Sequence, residues 1–187
     1  MPKKMTIAAL KKQLKALSQQ EMLSMVCGLY QSCPDVANIL NARFSGDDYI
    51  NGLLDESKER ISKEFSGRGL KVPSLSKAKR VISDFKKVLP APEDLLELRL
   101  YYVECVAEIG NSFGDMPESF YDSLESVYSD VVSDLNNLKS EELFRMFYPR
   151  LKSIIIDVDG LGYGLSDVLS TVLYDDLEWS PEENDTP

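Results

Sequence analysis

Between residues 91 and 113 the chain reads APEDLLELRLYYVECVAEIGNSF, and apolar side chains cover almost the whole circumference of the helix this stretch encodes. Leu95, Leu96, Leu98, Leu100, Tyr101, Tyr102, Val103, Cys105, Val106, Ala107 and Ile109 are interrupted by Glu93, Glu97, Glu104 and Glu108. At 100° per residue those four glutamates share an arc of roughly 60°. A helix apolar on its remaining sides has to be sheathed by neighbours. Pro92 suits a first helical turn, and Glu93 and Asp94 favour its positive end. The stretch is too short and too charged to span a bilayer. It predicts the central rod of an all-α fold.

The flanks supply the sheath. Thr6 caps a short basic helix with Ile7, Leu10, Leu14 and Leu17 on one face. Ser18 and Glu21 form a capping box for a second helix, whose apolar face is Met22, Met25, Val26, Leu29 and Tyr30. Cys33-Pro34 stops it, and a third segment runs through Val36, Ile39, Leu40 and Phe44. The Ser45-Gly46-Asp47 turn opens a fourth, to about Phe65. The stretch SGRGLKVPSLS is a loop, after which Ser76 caps a fifth helix with Ala78, Val81, Ile82, Phe85 and Leu89 as its buried stripe.

Gly110 and Gly114 end the central rod. Pro117 starts a seventh helix with Tyr121, Leu124, Tyr128, Val131, Leu135 and Leu138 inward. Ser140 caps an eighth, with Phe147, Leu151 and Ile154 among its inward residues and Pro149 as a potential kink. The DGLGYG turn leads into a last helix, Leu165 to Leu177. These nine helices predict an irregular bundle or a short α-solenoid of antiparallel helix pairs. Residues 1–177 are expected to form one domain, and residues 178–187, ending in SPEENDTP, a disordered acidic tail. Met22 and Met25 are expected in the core, Cys27 and Cys105 buried, and Cys33 the exposed thiol.

Three segments carry a family resemblance: SLSKAKRVISDFKK, PAPEDLLELRLYYVECV and FGDMPESFYDSLESVY. With the opening TIAALKKQLKALSQQEMLSMVCGLYQ and the late GLGYGLSDVLSTVLY, they resemble a bacterial family of small all-helical cytosolic proteins carrying a domain of unknown function. The resemblance implies an all-helical cytosolic protein, and it transfers no catalytic residue to this chain.

The chain contains no histidine. That removes Ser-His and Cys-His nucleophiles, His-ligated zinc and the commonest general base. Three cysteines without a CxxC pair suit free thiols in a reducing compartment, and the opening residues lack the continuous apolar core of a secretion leader. A cytoplasmic protein is expected, with no cofactor, no metal and no membrane partner.

Charge is polarised. Residues 1–87 hold 16 Lys and Arg against 9 Asp and Glu, or +7; residues 88–187 hold 5 against 22, or −17. Residues 58–87 alone reach +7, with 10 cations against 3 acids. There Arg68, Ser74, Ser76, Lys77, Arg80 and Lys87 are candidates for binding an anion or an acidic partner at a helix N-terminus. A net charge of −10 weighs against nucleic acid.

The segment IIIDVDGLGYG invites a third reading, a metal-dependent phosphatase using Asp157 and Asp159 at the end of a strand. Leu161 stands where that motif carries Thr, and only 23 residues follow Gly164. The leading expectation is a helical scaffold, without catalytic activity, that binds another protein or forms a homo-oligomer.

Overall fold

A computed structural model describes residues 4–66, 73–114 and 116–181. Among them are nine α-helices and no strand: α1 (Ile7–Leu14), α2 (Gln19–Ser32), α3 (Pro34–Phe44), α4 (Asp47–Phe65), α5 (Leu75–Lys86), α6 (Pro92–Phe113), α7 (Glu118–Leu138), α8 (Glu141–Asp157) and α9 (Leu165–Tyr174). A 3₁₀ turn, Gly162–Gly164, precedes α9.

The rod is α6. It packs against α4, α5, α7 and α8, while α9 closes the far side against α7 and α8. Leu96, Leu98, Leu100, Tyr102, Val103 and Val106 are fully buried on it. They meet Ile61 and Phe65 of α4, Val81 and Phe85 of α5, Phe120, Leu124, Tyr128 and Val131 of α7, and Phe147 and Leu151 of α8 in one continuous core. Burying a side chain of this size contributes about 1.5–3 kcal/mol. Packing of these faces, more than helix propensity, holds the bundle together. Two buried hydroxyls find partners inside it. Tyr102 and Ser123 share a 2.7 Å hydrogen bond, and Tyr128 donates to the Leu151 carbonyl at 3.1 Å.

Local signals account for most helix ends. The Thr6 hydroxyl accepts from Ala9 N–H, Ser140 from Leu143 N–H, and Ser18 and Glu21 form the reciprocal capping box. Others fall differently from expectation. Helix α5 begins one residue before Ser76, with Ser74 at the cap position and no side-chain cap bond. It ends at Lys86, and the chain then turns through Leu89 at φ 56°. That turn carries Val88 into the core and leaves Leu89 79 % exposed. Gly110 does not end α6: it is buried within the helix, where an added Cβ would lie 2.8 Å from Leu161 Cδ1. Gly114, at φ 78°, is the terminator. Helix α9 stops at Tyr174 rather than Leu177.

The expected tail boundary also shifts. Asn136 Oδ1 accepts the N–H groups of Glu178 and Trp179, and the Trp179 ring packs edge-on to Phe144. Residues 178 and 179 are thus docked on the bundle; residues 182–187 lie outside the described residues.

Helices α1 to α3 break the pattern. None holds a buried residue. Helix α2 packs on α3, and α3 makes a small contact with α4. Met22 and Met25 are therefore not core, and Cys27 is exposed, whereas Cys33 and Cys105 are half-buried. The amphipathic pattern located an apolar face correctly, but among the described residues α3 covers α2 only in part.

Candidate functional site

The glutamate stripe of α6 is occupied by cations from both neighbouring helices. Lys58 of α4 donates to Glu97 at 2.7 Å. Arg150 of α8 bonds Glu97 and grips Glu104 through Nε and Nη2 at 2.8 and 2.9 Å. Burial by itself would raise the Glu97 carboxyl, but hydrogen bonds from Arg150 and Lys58 outweigh it and hold the group below its ordinary value. Burial likewise opposes the Arg150 charge, and its two glutamate partners more than compensate. The seam fastens α4, α6 and α8 and leaves no open carboxylate pair for metal chemistry at Glu97 and Glu104.

A stability prediction follows from the sign of that shift. A carboxyl depressed in the folded state contributes stability above its unfolded value, here the ordinary 4.5, which is lost as pH falls through the folded value. Urea midpoints are expected to hold steady near neutrality and to fall in acid below about 4.5. Glu97→Gln should lower stability at neutral pH and make the acid limb shallower. Urea titrations at stepped pH would check it; an unchanged acid limb in Glu97→Gln contradicts the seam's role.

The five described anion-site candidates do not converge on one place. Arg68 lies outside the described residues. Ser74 and Ser76 line a groove of about 530 Å³ with Lys79, Ser119, Asp122 and Ser123, between the starts of α5 and α7. Lys77 and Arg80 face a separate cleft of about 290 Å³ against α4, shared with Arg60, Lys63, Glu64 and Asp84. Lys87 bonds Asp84 at 2.7 Å. That bond, with the charges of Lys87, Arg80 and Arg60, outweighs burial and leaves the Asp84 carboxyl below its ordinary value.

Arg60 and Lys63 are the members missed when the stretch was read linearly. The usable signal was spacing: Arg60 and Lys63 on α4, and Lys77 and Arg80 on α5, are both i,i+3 pairs that share one face. Lys63 is also held by Glu59 at 2.7 Å, so part of this charge is already answered.

The phosphatase segment is not arranged for that chemistry. Ile154 to Ile156 lie within helix α8, not at a strand end. Asp157 is exposed at the helix terminus, its carbonyl accepting from Asn111 at 2.6 Å. Among the described residues no group of three His, Cys, Asp or Glu is placed to hold a metal ion, and no helix is long and apolar enough to cross a membrane.

The remaining feature is the arm formed by α1 and α2. Met5, Ile7, Leu10, Met22, Leu23, Met25, Val26, Leu29 and Tyr30 are each 38–69 % exposed. The Tyr30 hydroxyl donates to Asn41 Oδ1 at 3.0 Å and ties α2 to α3. No family model matches the chain, and neither does any curated protein or solved structure.

Proposed function

We propose that this protein is a cytoplasmic, non-catalytic helical module that binds another protein through its α1–α2 arm. One observation carries the reading: three consecutive helices contribute no buried residue, yet two of them expose eight large apolar side chains. Contiguous exposed apolar surface rimmed by polar residues is the physical mark of a docking surface. The rest of the molecule, with a full core and a fastened α4–α6–α8 seam, is a rigid support for it.

A second reading is favoured by the cleft between α4 and α5. Arg60, Lys63, Lys77 and Arg80 surround it against Glu64 and Asp84, an arrangement suited to a phosphate or an acidic segment. The two readings separate on salt, because ion-pair binding weakens steeply with ionic strength and apolar docking does not.

Site-specific photo-crosslinking in cells producing the full chain tests the first. A photoreactive residue at Leu23 or Val26 is expected to give discrete adducts, and the same residue at exposed Ser126 of α7 is not. Extracts crosslinked at high salt should retain the adducts. If Leu23 and Val26 give no more adduct than Ser126, the arm is not a docking surface; adducts lost at high salt move the assignment to the cleft.

A further inference from the structure

The cleft between α4 and α5 holds more positive charge than its surroundings answer. Arg60 and Lys63 of α4 face Lys77 and Arg80 of α5 across about 290 Å³, with Glu64 and Asp84 on the wall. Four cations thus meet two carboxylates, an excess of two. The ion pairs at the rim leave that excess unchanged. Glu59 holds Lys63 at 2.7 Å, and Lys87 adds a cation to Asp84 at 2.7 Å. Asp84 is mainly the partner of Lys87, since Arg80 stands 4.0 Å from it. Among the described residues, Arg60 and Lys77 form no salt bridge. On a chain of net charge −10, an unanswered cationic cluster between two packed helices is an exception. Like charges held together repel, and a bound anion removes that cost.

The cleft defines the anion in three ways. The cations form two i,i+3 pairs on facing helices, so they close around one point and do not line a groove. At about 290 Å³ the space lies at the bottom of the range for small-molecule sites, which suits a single compact group. Its excess charge equals that of a phosphate monoester above the second ionisation, near pH 6. Each helix also supplies one arginine and one lysine, and a guanidinium fork meets two oxygens of the same phosphate at once. Val81 is the only apolar residue on the described wall, so the cleft reads the charged group and leaves the rest of its carrier outside.

We propose that the α4–α5 cleft binds one phosphate monoester dianion, gripped by Arg60 and Lys63 from one side and by Lys77 and Arg80 from the other. This rests on the second reading above, that the cleft takes an anion, and names the chemistry of that anion.

The test is a titration of the full chain with glycerol 3-phosphate at constant ionic strength, read as backbone amide NMR shifts. Saturable shifts are expected at residues 60–64 and 77–84. Arg60→Gln and Lys77→Gln should each weaken binding about tenfold, the loss of one charge-assisted contact. Glu64→Gln should tighten it, and Arg43→Gln, which removes an exposed cation from α3, should leave it unchanged. None of these four positions is buried, so the variants are expected to fold as the wild type does. Lowering the pH from about 7.5 to about 5.5 should weaken monoester binding about fourfold, as the ligand takes up a proton. The chain has no histidine to titrate in that window, and the charged groups facing the ligand are the six on the wall, with Glu59 and Lys87 behind them. A hexaglutamate peptide, whose carboxyls ionise lower, should show no such loss.

Co-sedimentation with phosphatidate vesicles identifies the carrier. Binding there without any response to glycerol 3-phosphate supports the same chemistry on a lipid headgroup. Cleft shifts from hexaglutamate, with none from either phosphate source, overturn the monoester and leave the anion reading standing. No binding of any of the three overturns both. Monoester shifts that Arg60→Gln and Lys77→Gln leave unchanged overturn the placement in this cleft.

Discussion

Phe147→Ala is expected to lower the unfolding free energy by about 3–5 kcal/mol, a large part of the total for a chain of this size. Phe147 is 1 % exposed on α8, and the Arg150 guanidinium lies 5.8 Å from its ring centre. Truncation removes the transfer energy of a phenyl ring and opens a cavity at the junction with α6. The local helix has little reserve, because Pro149 supplies no N–H to the ladder of α8 and its hold on the bundle is mostly tertiary. The matched control is Leu29→Ala on α2, expected to stay within about 0.5 kcal/mol when measured at a concentration where the chain is monomeric. Denaturant titrations of both decide the point. Equal losses would mean that α2 is part of the core and that the arm does not exist as described.

A second large effect is expected at the one cation buried among the described residues. Arg99 lies on α6 at 8 % exposure. It pairs with Asp130 at 3.3 Å and with Asp134 of α7, and its Nε is buried with no partner among the described residues. Removing both acids, Asp130→Ala/Asp134→Ala, should cost about 3–5 kcal/mol, because a guanidinium is left in the bundle without an anion. Arg99→Met should cost much less, about 1 kcal/mol or nothing, since the acids left behind are partly exposed and methionine keeps an apolar stem in the same place. The comparison asks whether the pair stabilises the fold or only avoids its own desolvation. If Arg99→Met proved as damaging as the double aspartate variant, the ion pair would be a net contributor.

The core was legible because a buried helix announces itself by what it lacks. Leu96, Leu98, Leu100, Tyr102, Val103 and Val106 leave α6 no polar face except the glutamate arc, and burial follows. The caps at Thr6, Ser18 and Ser140 were legible because each is a bond between residues three apart. Leu89 was misplaced because its burial depended on where α5 stops, a choice made by the turn at φ 56° rather than by periodicity. Gly110 looked like a helix end because glycine has two uses, and only the approach of Leu161 distinguishes a close contact from a terminator.

The arm and the cationic cleft mark the same limit from two sides. The α2 sequence shows an apolar face and no cations, and that pattern is identical whether the face meets this chain or another one. Arg60, Lys63, Lys77 and Arg80 are separated by a loop in the sequence and become neighbours only when α4 and α5 pack. Periodicity and capping are short-range, set by bonds and side chains within one or two helical turns, so the residues alone determined an all-α fold about a mid-chain rod. Coverage and pairing are long-range, set by which surfaces reach each other. Only the tertiary structure decided that Arg150 would grip Glu97 and Glu104, that Arg99 would face α7, and that α2 would keep apolar side chains exposed.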